Sequence, residues 1–161
     1  MLCFLVRHAQ AADAATWPGA DGERPLTDKG RARMERAAKA LAALDLDVDA
    51  VVTSPLVRAK QTAAIVAKRL RLDDRLTEDA RLAEGFGVAQ LHAILVEHGD
   101  ANGVVLVGHE PSMSGLVAEL VGGATVDFKP GSVACIDLPR PNSVRGTLVW
   151  FAPAKLLAAL G

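Results

Sequence analysis

The sequence has 161 residues, of which half are hydrophobic and only 4% are aromatic, with no Tyr. This length fits one domain over residues 1–161, with a single core built from aliphatic side chains and alanines. The 18 basic and 19 acidic residues give a formal net charge of −1, which provides no reason to expect a nucleic acid or an anionic membrane as partner.

The predicted elements alternate between strands and helices from the start of the chain. Leu2 to Val6 is a continuous apolar run, typical of a strand buried on both faces. A polar loop follows, from about Ala9 to Pro25. Thr27 then predicts a helix N-cap, and the helix it begins carries one apolar stripe. The stripe consists of Met34, Ala37, Ala38 and Leu41.

The middle of the chain continues the same alternation. Asp49 to Thr53 predicts a second core strand, and Ser54-Pro55 predicts the start of a helix, with Ser54 as cap and Pro55 as first residue. The stretch around Leu76 to Gly87 shows no clear pattern. A third helix is marked by Leu91, Ile94 and Leu95.

Three more strands are predicted in the last third. Gly103 to Val107 is a buried strand, and Gly108-His109-Glu110-Pro111 leads from it into a fourth helix. Ser132 to Leu138 and Thr147 to Phe151 predict an antiparallel hairpin, followed by a short terminal helix. Together the elements predict an α/β fold: a single-domain three-layer α/β/α sandwich with a mostly parallel mixed sheet and an antiparallel edge.

The cysteines and the N-terminus bear on the expected environment. Cys3 and Cys135 each lie in an apolar run, which favours buried free thiols over a disulfide or a zinc site. The apolar run at the N-terminus is too short for a signal core, and no stretch approaches the roughly 20 apolar residues that span a bilayer. We therefore expect a cytoplasmic protein that is a monomer or a weak dimer.

Basic and imidazole side chains follow three of the predicted strands. Arg7-His8 ends the first, Arg58 falls in the first helical turn after the second, and His109 follows the strand before the fourth helix. Ligands of such sheets bind outside the carboxyl ends of the strands, so we expect these four residues to meet. Helix N-termini add partial positive charge there. The cluster suits a tetrahedral dianion.

The residue types point to phosphoryl chemistry without a metal or any other cofactor. A guanidinium binds two phosphate oxygens in a planar fork, and a neutral imidazole can carry a phosphoryl group as a covalent intermediate. The second imidazole, if protonated, could neutralise charge in the transition state. A zinc site is disfavoured, because no Cys lies near and the flanking arginines would repel a cation.

These residues resemble the motifs of a known family. Arg7-His8-Ala9 is similar to the Arg-His-Gly signature of the histidine phosphatase superfamily, with the phosphoglycerate mutase-like fold. Arg24-Pro25-Leu26-Thr27, Ser54-Pro55-Leu56-Val57-Arg58 and Gly108-His109-Glu110-Pro111 resemble its later blocks, in order. The chain length is similar to that of the smallest branch of this superfamily, the SixA-type phosphohistidine phosphatases. Members of that branch remove phosphate from histidine on signalling phosphotransfer proteins.

The resemblance implies a role for each residue. It makes His8 the nucleophile, and it places Arg7, Arg58 and His109 around the phosphate. Ala9 replaces the usual Gly, which requires a backbone geometry that alanine can accept. The resemblance also implies a general acid in members that act on monoesters, for which Glu84 is the candidate here, ahead of Glu78 and Asp79.

Alternatives remain open at this point. Glu84 is either a general acid, which favours a broad or small-molecule phosphomonoesterase, or a solvated loop residue, which favours a phosphohistidine-bearing protein as substrate. A module that binds phosphate or a phosphoprotein without turnover is the non-enzyme alternative. Trp17 is either a substrate contact or an apolar plug of its loop. His92 and His98 are interpreted as structural.

Overall fold

The computed structural model describes all residues, 1–161. Its six strands are β1 (Leu2–Arg7), β2 (Ala50–Thr53), β3 (Leu76–Glu78), β4 (Gly103–Gly108), β5 (Val133–Asp137) and β6 (Thr147–Ala152). Its five α-helices are α1 (Asp28–Ala43), α2 (Val57–Leu70), α3 (Val88–Glu97), α4 (Ser112–Val121) and α5 (Ala154–Leu160). None of these helices combines the length and apolar character needed to cross a bilayer.

One mixed sheet organises the fold, with the strand order β3-β2-β4-β1-β5-β6. The first four strands in this order are parallel, whereas β5 runs antiparallel to β1 and β6 antiparallel to β5. The parallel part with its antiparallel edge confirms the predicted fold class. It also brings the carboxyl ends of β1, β2 and β4 to one edge of the sheet.

Two apolar cores lie on opposite faces of the sheet. Alternate residues of β1 point to opposite sides, so Phe4 and Val6 belong to one core while Cys3 and Leu5 belong to the other. The first core packs beneath α1, α2 and α5, and the second beneath α3 and α4. The result is the expected three-layer arrangement. Cys3 and Cys135 are buried and unbonded, as predicted, and burial raises the pKa of Cys3 to about 12.

The first helix begins as the sequence predicts. The Thr27 hydroxyl accepts a hydrogen bond from the Gly30 N–H, at 3.0 Å, which satisfies one of the free donors of the first turn. Gly30 lies against the Gln10 carbonyl, and a Cβ there would collide with it. Glycine at this position therefore allows the chain just after His8 to run close to α1.

One sequence prediction about the elements is wrong, and one strand was not predicted. The second helix begins at Val57 rather than at Pro55, because Ser54 and Pro55 form a turn in which the Ser54 hydroxyl accepts from the Leu56 N–H. The stretch without a clear pattern contains the edge strand β3, which pairs with β2. β3 has three residues and no buried one, so no apolar run identifies it.

Candidate active site

The structure brings the four predicted residues together. Arg7 at the end of β1 is level with Gly108 at the end of β4, and β2 ends beside the same strand. The rings of His8 and His109 lie with centroids 5.1 Å apart. The charges of Arg7 and Arg58 both act on the His8 ring and lower its pKa. Three strand ends therefore build one cationic pocket.

The orientation of His8 is set by its own backbone neighbourhood. Its Nδ1 lies 2.8 Å from the Ala9 carbonyl oxygen, and its backbone N–H donates to the Gly108 carbonyl at 3.0 Å. A carbonyl can only accept, so the proton of the neutral ring is on Nδ1. Nε2 then carries the lone pair, which is the atom a nucleophilic imidazole uses.

The His8 ring is held neutral. Burial is the main cause that lowers its pKa to about 3, and the charges of His109, Arg58 and Arg7 lower it further, against the opposing Ala9 hydrogen bond. At neutral pH the Nε2 lone pair is therefore free. The Gly-to-Ala change after the nucleophile is accommodated, because Ala9 is buried and does not adopt a positive φ.

Arg7 is anchored at one end and unpartnered at the other. Its Nη1 donates to the Phe128 carbonyl at 2.7 Å, whereas its buried Nε has no hydrogen-bond partner. Burial lowers the Arg7 pKa, but a guanidinium remains charged at any physiological pH. One edge of this cation is thus fixed while another is available to an acceptor.

Arg58 is buried at the start of α2 and is held by Asp21. Its Nη1 donates to the Asp21 backbone carbonyl at 2.8 Å and its Nη2 to the Asp21 carboxylate at 3.1 Å. The same carboxylate accepts from Nε of Arg24 at 2.8 Å, and these contacts lower the Asp21 pKa. Asp21 thus anchors Arg58 from the rim of the pocket, and Arg58 Nε has no partner.

His109 is positioned by Ser54. Its Nε2 lies 2.8 Å from the Ser54 hydroxyl, and its buried Nδ1 has no partner. Ser54 already accepts from the Leu56 N–H, so its own proton can be donated to Nε2, which leaves the ring proton on Nδ1. Burial, together with the arginine charges, lowers the His109 pKa to about 4. The unpartnered Nδ1–H is then a donor for an anion.

Unsatisfied donors are concentrated in this pocket. Only four buried side-chain polar atoms lack a partner, and three are Arg7 Nε, Arg58 Nε and His109 Nδ1; the fourth is the Ser132 hydroxyl. A buried donor without an acceptor costs on the order of 1–3 kcal/mol, so such atoms are rare unless they serve a ligand. Three nitrogen donors around one imidazole suit a tetrahedral oxyanion.

Thr62 connects the backbone after His8 to α2, the helix that carries Arg58. Its buried hydroxyl accepts from the Ala9 N–H at 3.0 Å and donates to the Arg58 carbonyl at 2.7 Å. One side chain thus fixes the backbone just after His8 relative to the first turn of α2. This contact depends on Thr62 lying one helical turn after Arg58.

A cleft of about 310 Å³ opens beside the pocket. Arg58 and His109 line it, together with the three carboxylates Asp21, Glu84 and Glu110. Glu110 is held by the first turn of α4, where its carboxylate accepts from the Ser114 hydroxyl at 2.6 Å. Glu84 is exposed and makes no hydrogen bond. The structure therefore places the predicted acid at the cleft wall without holding its carboxyl group in one orientation.

The other residues weighed from the sequence lie elsewhere. His92 donates a hydrogen bond from Nε2 to the Ser143 carbonyl at 3.1 Å, and His98 lies at the end of α3. Trp17 donates to the Ala20 carbonyl at 3.1 Å and does not line the cleft, which favours a role in fixing its loop. No group of three or more His, Cys, Asp or Glu side chains is arranged to hold a metal ion.

Sequence reasoning missed three residues of the pocket's surroundings. Asp21, Ser54 and Thr62 each contact a predicted site residue, yet the sequence analysis assigns none of them to the pocket and interprets Ser54 as a helix cap. Thr62 carried a usable signal, because a residue four positions after Arg58 faces the same side of a helix. Asp21 lies in a polar loop, and no pattern in the sequence identifies it as a partner of Arg58.

Comparison with known proteins identifies similar sequences. Residues 3–93 match the family model described as the histidine phosphatase superfamily, branch 1. The chain is 33% identical to the phosphohistidine phosphatase SixA of Escherichia coli K12, over 99% of this chain and 98% of that protein.

Solved structures share the fold. The structure of the protein histidine phosphatase SixA complexed with tungstate superposes with a TM-score of 0.85 at 28% identity, covering 96% of this chain and 98% of that one. The alpha-ribazole phosphatase of Shigella flexneri superposes with a TM-score of 0.74 at 20% identity, covering 96% and 97% of the two chains. The second likeness concerns the fold alone.

Proposed function

This chain belongs to the histidine phosphatase superfamily, and from that premise we propose that it hydrolyses phosphohistidine in a phosphotransfer protein through a phospho-His8 intermediate. The observation that carries the proposal is the neutral His8 ring with its free Nε2, surrounded by the unpartnered donors Arg7 Nε, Arg58 Nε and His109 Nδ1. The full-length similarity to the phosphohistidine phosphatase SixA supports the same substrate class.

The first step transfers the phosphoryl group to His8. Nε2 attacks phosphorus, the bond from phosphorus to the substrate imidazole breaks, and its electron pair returns to that imidazole nitrogen. The Nδ1–H of His8 keeps its hydrogen bond to the Ala9 carbonyl, which stabilises the positive charge that the ring gains. Arg7, Arg58 and His109 donate to the phosphoryl oxygens, whose charge is spread over three equatorial positions.

The second step returns the enzyme to its starting state. A water oxygen attacks phosphorus from the side that the substrate has left, and the bond from phosphorus to His8 Nε2 breaks. Inorganic phosphate leaves, one water proton goes to phosphate or solvent, and His8 is again neutral with its proton on Nδ1. Neither step requires a metal, since the pocket supplies positive charge from guanidinium and imidazole groups.

The state of Glu84 favours an imidazole leaving group over an alkoxide. An alkoxide needs a proton in the transition state, and a positioned acid typically contributes about 10²–10⁴-fold. Glu84 is exposed and has no hydrogen bond that would hold it. The imidazole of protonated phosphohistidine leaves as a neutral ring and needs no such acid. This supports phosphohistidine as the substrate.

The second candidate function is a phosphomonoesterase, which the position of Glu84 in the cleft wall favours. In that reaction a bound ester would bring its leaving oxygen to the Glu84 carboxyl, which would donate the proton. Both candidate reactions use His8 as the nucleophile, but only the phosphomonoesterase depends on Glu84.

One experiment tests the proposal and the second candidate together. The chain is assayed on a phosphotransfer domain phosphorylated on histidine, and separately on aryl and sugar phosphates, with His8→Ala and Glu84→Gln. His92→Ala and Glu119→Gln are matched controls, because they alter a histidine and an exposed carboxylate outside the pocket.

We expect His8→Ala to lose at least about 10³-fold in rate on phosphohistidine, with Glu84→Gln and both controls near wild type. Turnover of esters only, with loss in Glu84→Gln, would replace the proposal by the monoesterase. Binding without turnover of any substrate would indicate the binding module. A wild-type rate in His8→Ala would remove His8 as nucleophile.

A further inference from the structure

A second cleft lies next to the chain segment that follows the nucleophile. It has a volume of about 570 Å³ and is walled by α1, by the chain at the start of α5 and by the loop before β5. Arg33, Lys129 and Lys155 contribute from these three walls, and Phe151 and Pro153 provide apolar surface between them. We call this cleft the basic groove.

The basic groove adjoins His8 through the backbone. Gln10, two residues after the nucleophile, lines it, and so does Pro130. The residue after Pro130, Gly131, donates its N–H to the carbonyls of both Arg7 and His8, at 3.0 Å each. An occupant of the groove therefore lies directly beside the segment that carries the nucleophile.

The groove carries positive charge that the protein itself leaves unpaired. Arg33 and Lys155 form no ion pair and no side-chain hydrogen bond, whereas Lys129 pairs at 3.0 Å with Asp127, the one carboxylate that also lines the groove. The groove thus presents two uncompensated cations in a chain whose formal net charge is −1. Local clustering of one sign attracts a partner of the opposite sign and orients its encounter.

The size of the combined surface indicates a macromolecular occupant. The basic groove and the cleft at Arg58 and His109 share no lining residue, so they are two separate surfaces of the protein. A phosphorylated protein can place its phosphorylated side chain in the pocket and rest a neighbouring segment in the groove.

We propose that the basic groove docks an acidic segment of the phosphoprotein substrate, with acidic side chains at Arg33 and Lys155 and an apolar side chain over Phe151. The proposal rests on the proposed function, since it assumes a phosphohistidine protein in the pocket. It adds the surface by which this enzyme selects among such proteins.

The test compares substrates that do and do not reach the groove. The variant Arg33→Glu/Lys155→Glu and the control Lys39→Glu/Lys68→Glu make the same change in net charge, but the control residues lie outside the groove. Each is assayed on phosphoramidate, on a phosphotransfer domain with acidic residues around its phosphohistidine, and on the same domain with those acids changed to Gln.

We expect the groove variant to lose about tenfold in kcat/KM on the acidic domain, a loss that shrinks at high salt and on the Gln-substituted domain. Its rate on phosphoramidate and the control's rates on all substrates should match wild type. Equal rates of both variants on the acidic domain would overturn the proposal. An equal loss on phosphoramidate would overturn it too, since the groove would then shape the pocket. If wild type cleaves phosphoramidate but no phosphohistidine domain, the proposed function itself fails.

Discussion

Asp21 holds Arg58 by two hydrogen bonds, one from the arginine Nη1 to the aspartate backbone carbonyl and one from Nη2 to its carboxylate. The Arg58 side chain is 8% exposed, whereas the Asp21 side chain is 59% exposed. An exposed ion pair contributes little to stability, so its value here lies in fixing the direction of a guanidinium that has one Nε free for phosphate.

Replacing Asp21 separates orientation from charge. Asp21→Asn keeps an oxygen acceptor for Nη2, so we expect kcat/KM to stay within about threefold of wild type. Asp21→Ala removes the acceptor, and the freer guanidinium should cost about tenfold, since small displacements of positioning groups slow catalysis strongly. Steady-state kinetics on a phosphohistidine domain decides this. Equal losses in both variants would show that the charge of Asp21 matters rather than the orientation of Arg58, and wild-type rates in both would contradict any role of Asp21.

Thr62 should matter for both stability and rate. Thr62→Val leaves the buried Ala9 N–H without an acceptor, which costs about 1–3 kcal/mol of unfolding free energy. The backbone next to His8 also loses its link to α2, so kcat should fall. Thr62→Ser keeps the hydroxyl and serves as control. Thr62→Ser should have a higher free energy of unfolding, measured in urea, and a higher kcat than Thr62→Val. Equal values for the two variants would contradict the role of the hydroxyl.

Ser54 should fix the tautomer of His109. Without its hydroxyl in Ser54→Ala, nothing in the structure holds the proton of the neutral ring on Nδ1, so a mixture of tautomers is expected. Nitrogen NMR of the imidazoles reports this directly, and kcat should fall about twofold to fivefold, because the donor to the phosphoryl group is lost in the fraction of rings that carry the proton on Nε2. An unchanged His109 spectrum would contradict the assignment.

Acid should destabilise the protein through His8. The folded pKa of His8 is about 3 because of burial and the neighbouring charges, below the ordinary value of 6.5. The unfolded chain then binds the proton that the folded chain excludes. Stability from this group is complete above pH 6.5 and is lost as the pH falls from there toward 3, with a slope of at most about 1.4 kcal/mol per pH unit.

Urea unfolding between pH 7 and pH 4 measures this dependence. His8→Ala should make this dependence shallower without abolishing it, because burial also lowers the pKa of His109, to about 4, and that ring contributes a slope of the same sign. His92→Ala, which removes a histidine outside the pocket, should retain the wild-type slope. An unchanged slope in His8→Ala would mean that His8 is not held neutral in the folded protein.

The sequence by itself determined the order of strands and helices and the meeting of Arg7, His8, Arg58 and His109. Core strands are continuous apolar runs, helices carry apolar stripes at their own period, and parallel strands end at one edge of the sheet. These are local patterns joined by one topological rule. β3 could not be predicted in this way, because an edge strand of three residues with no buried side chain produces no apolar run.

Tertiary structure alone decided what holds the four residues in place. Asp21 and Arg58 are 37 positions apart, Ala9 and Thr62 are 53 apart, and Ser54 and His109 are 55 apart. Tertiary contacts also decided where α2 begins. The Ser54 hydroxyl accepts from the Leu56 N–H and contacts His109, so it does not cap the helix. Contacts of this kind depend on how loops and helix ends pack against one another. Hydrophobic periodicity does not encode that packing, because the polar side chains involved contribute nothing to the apolar pattern.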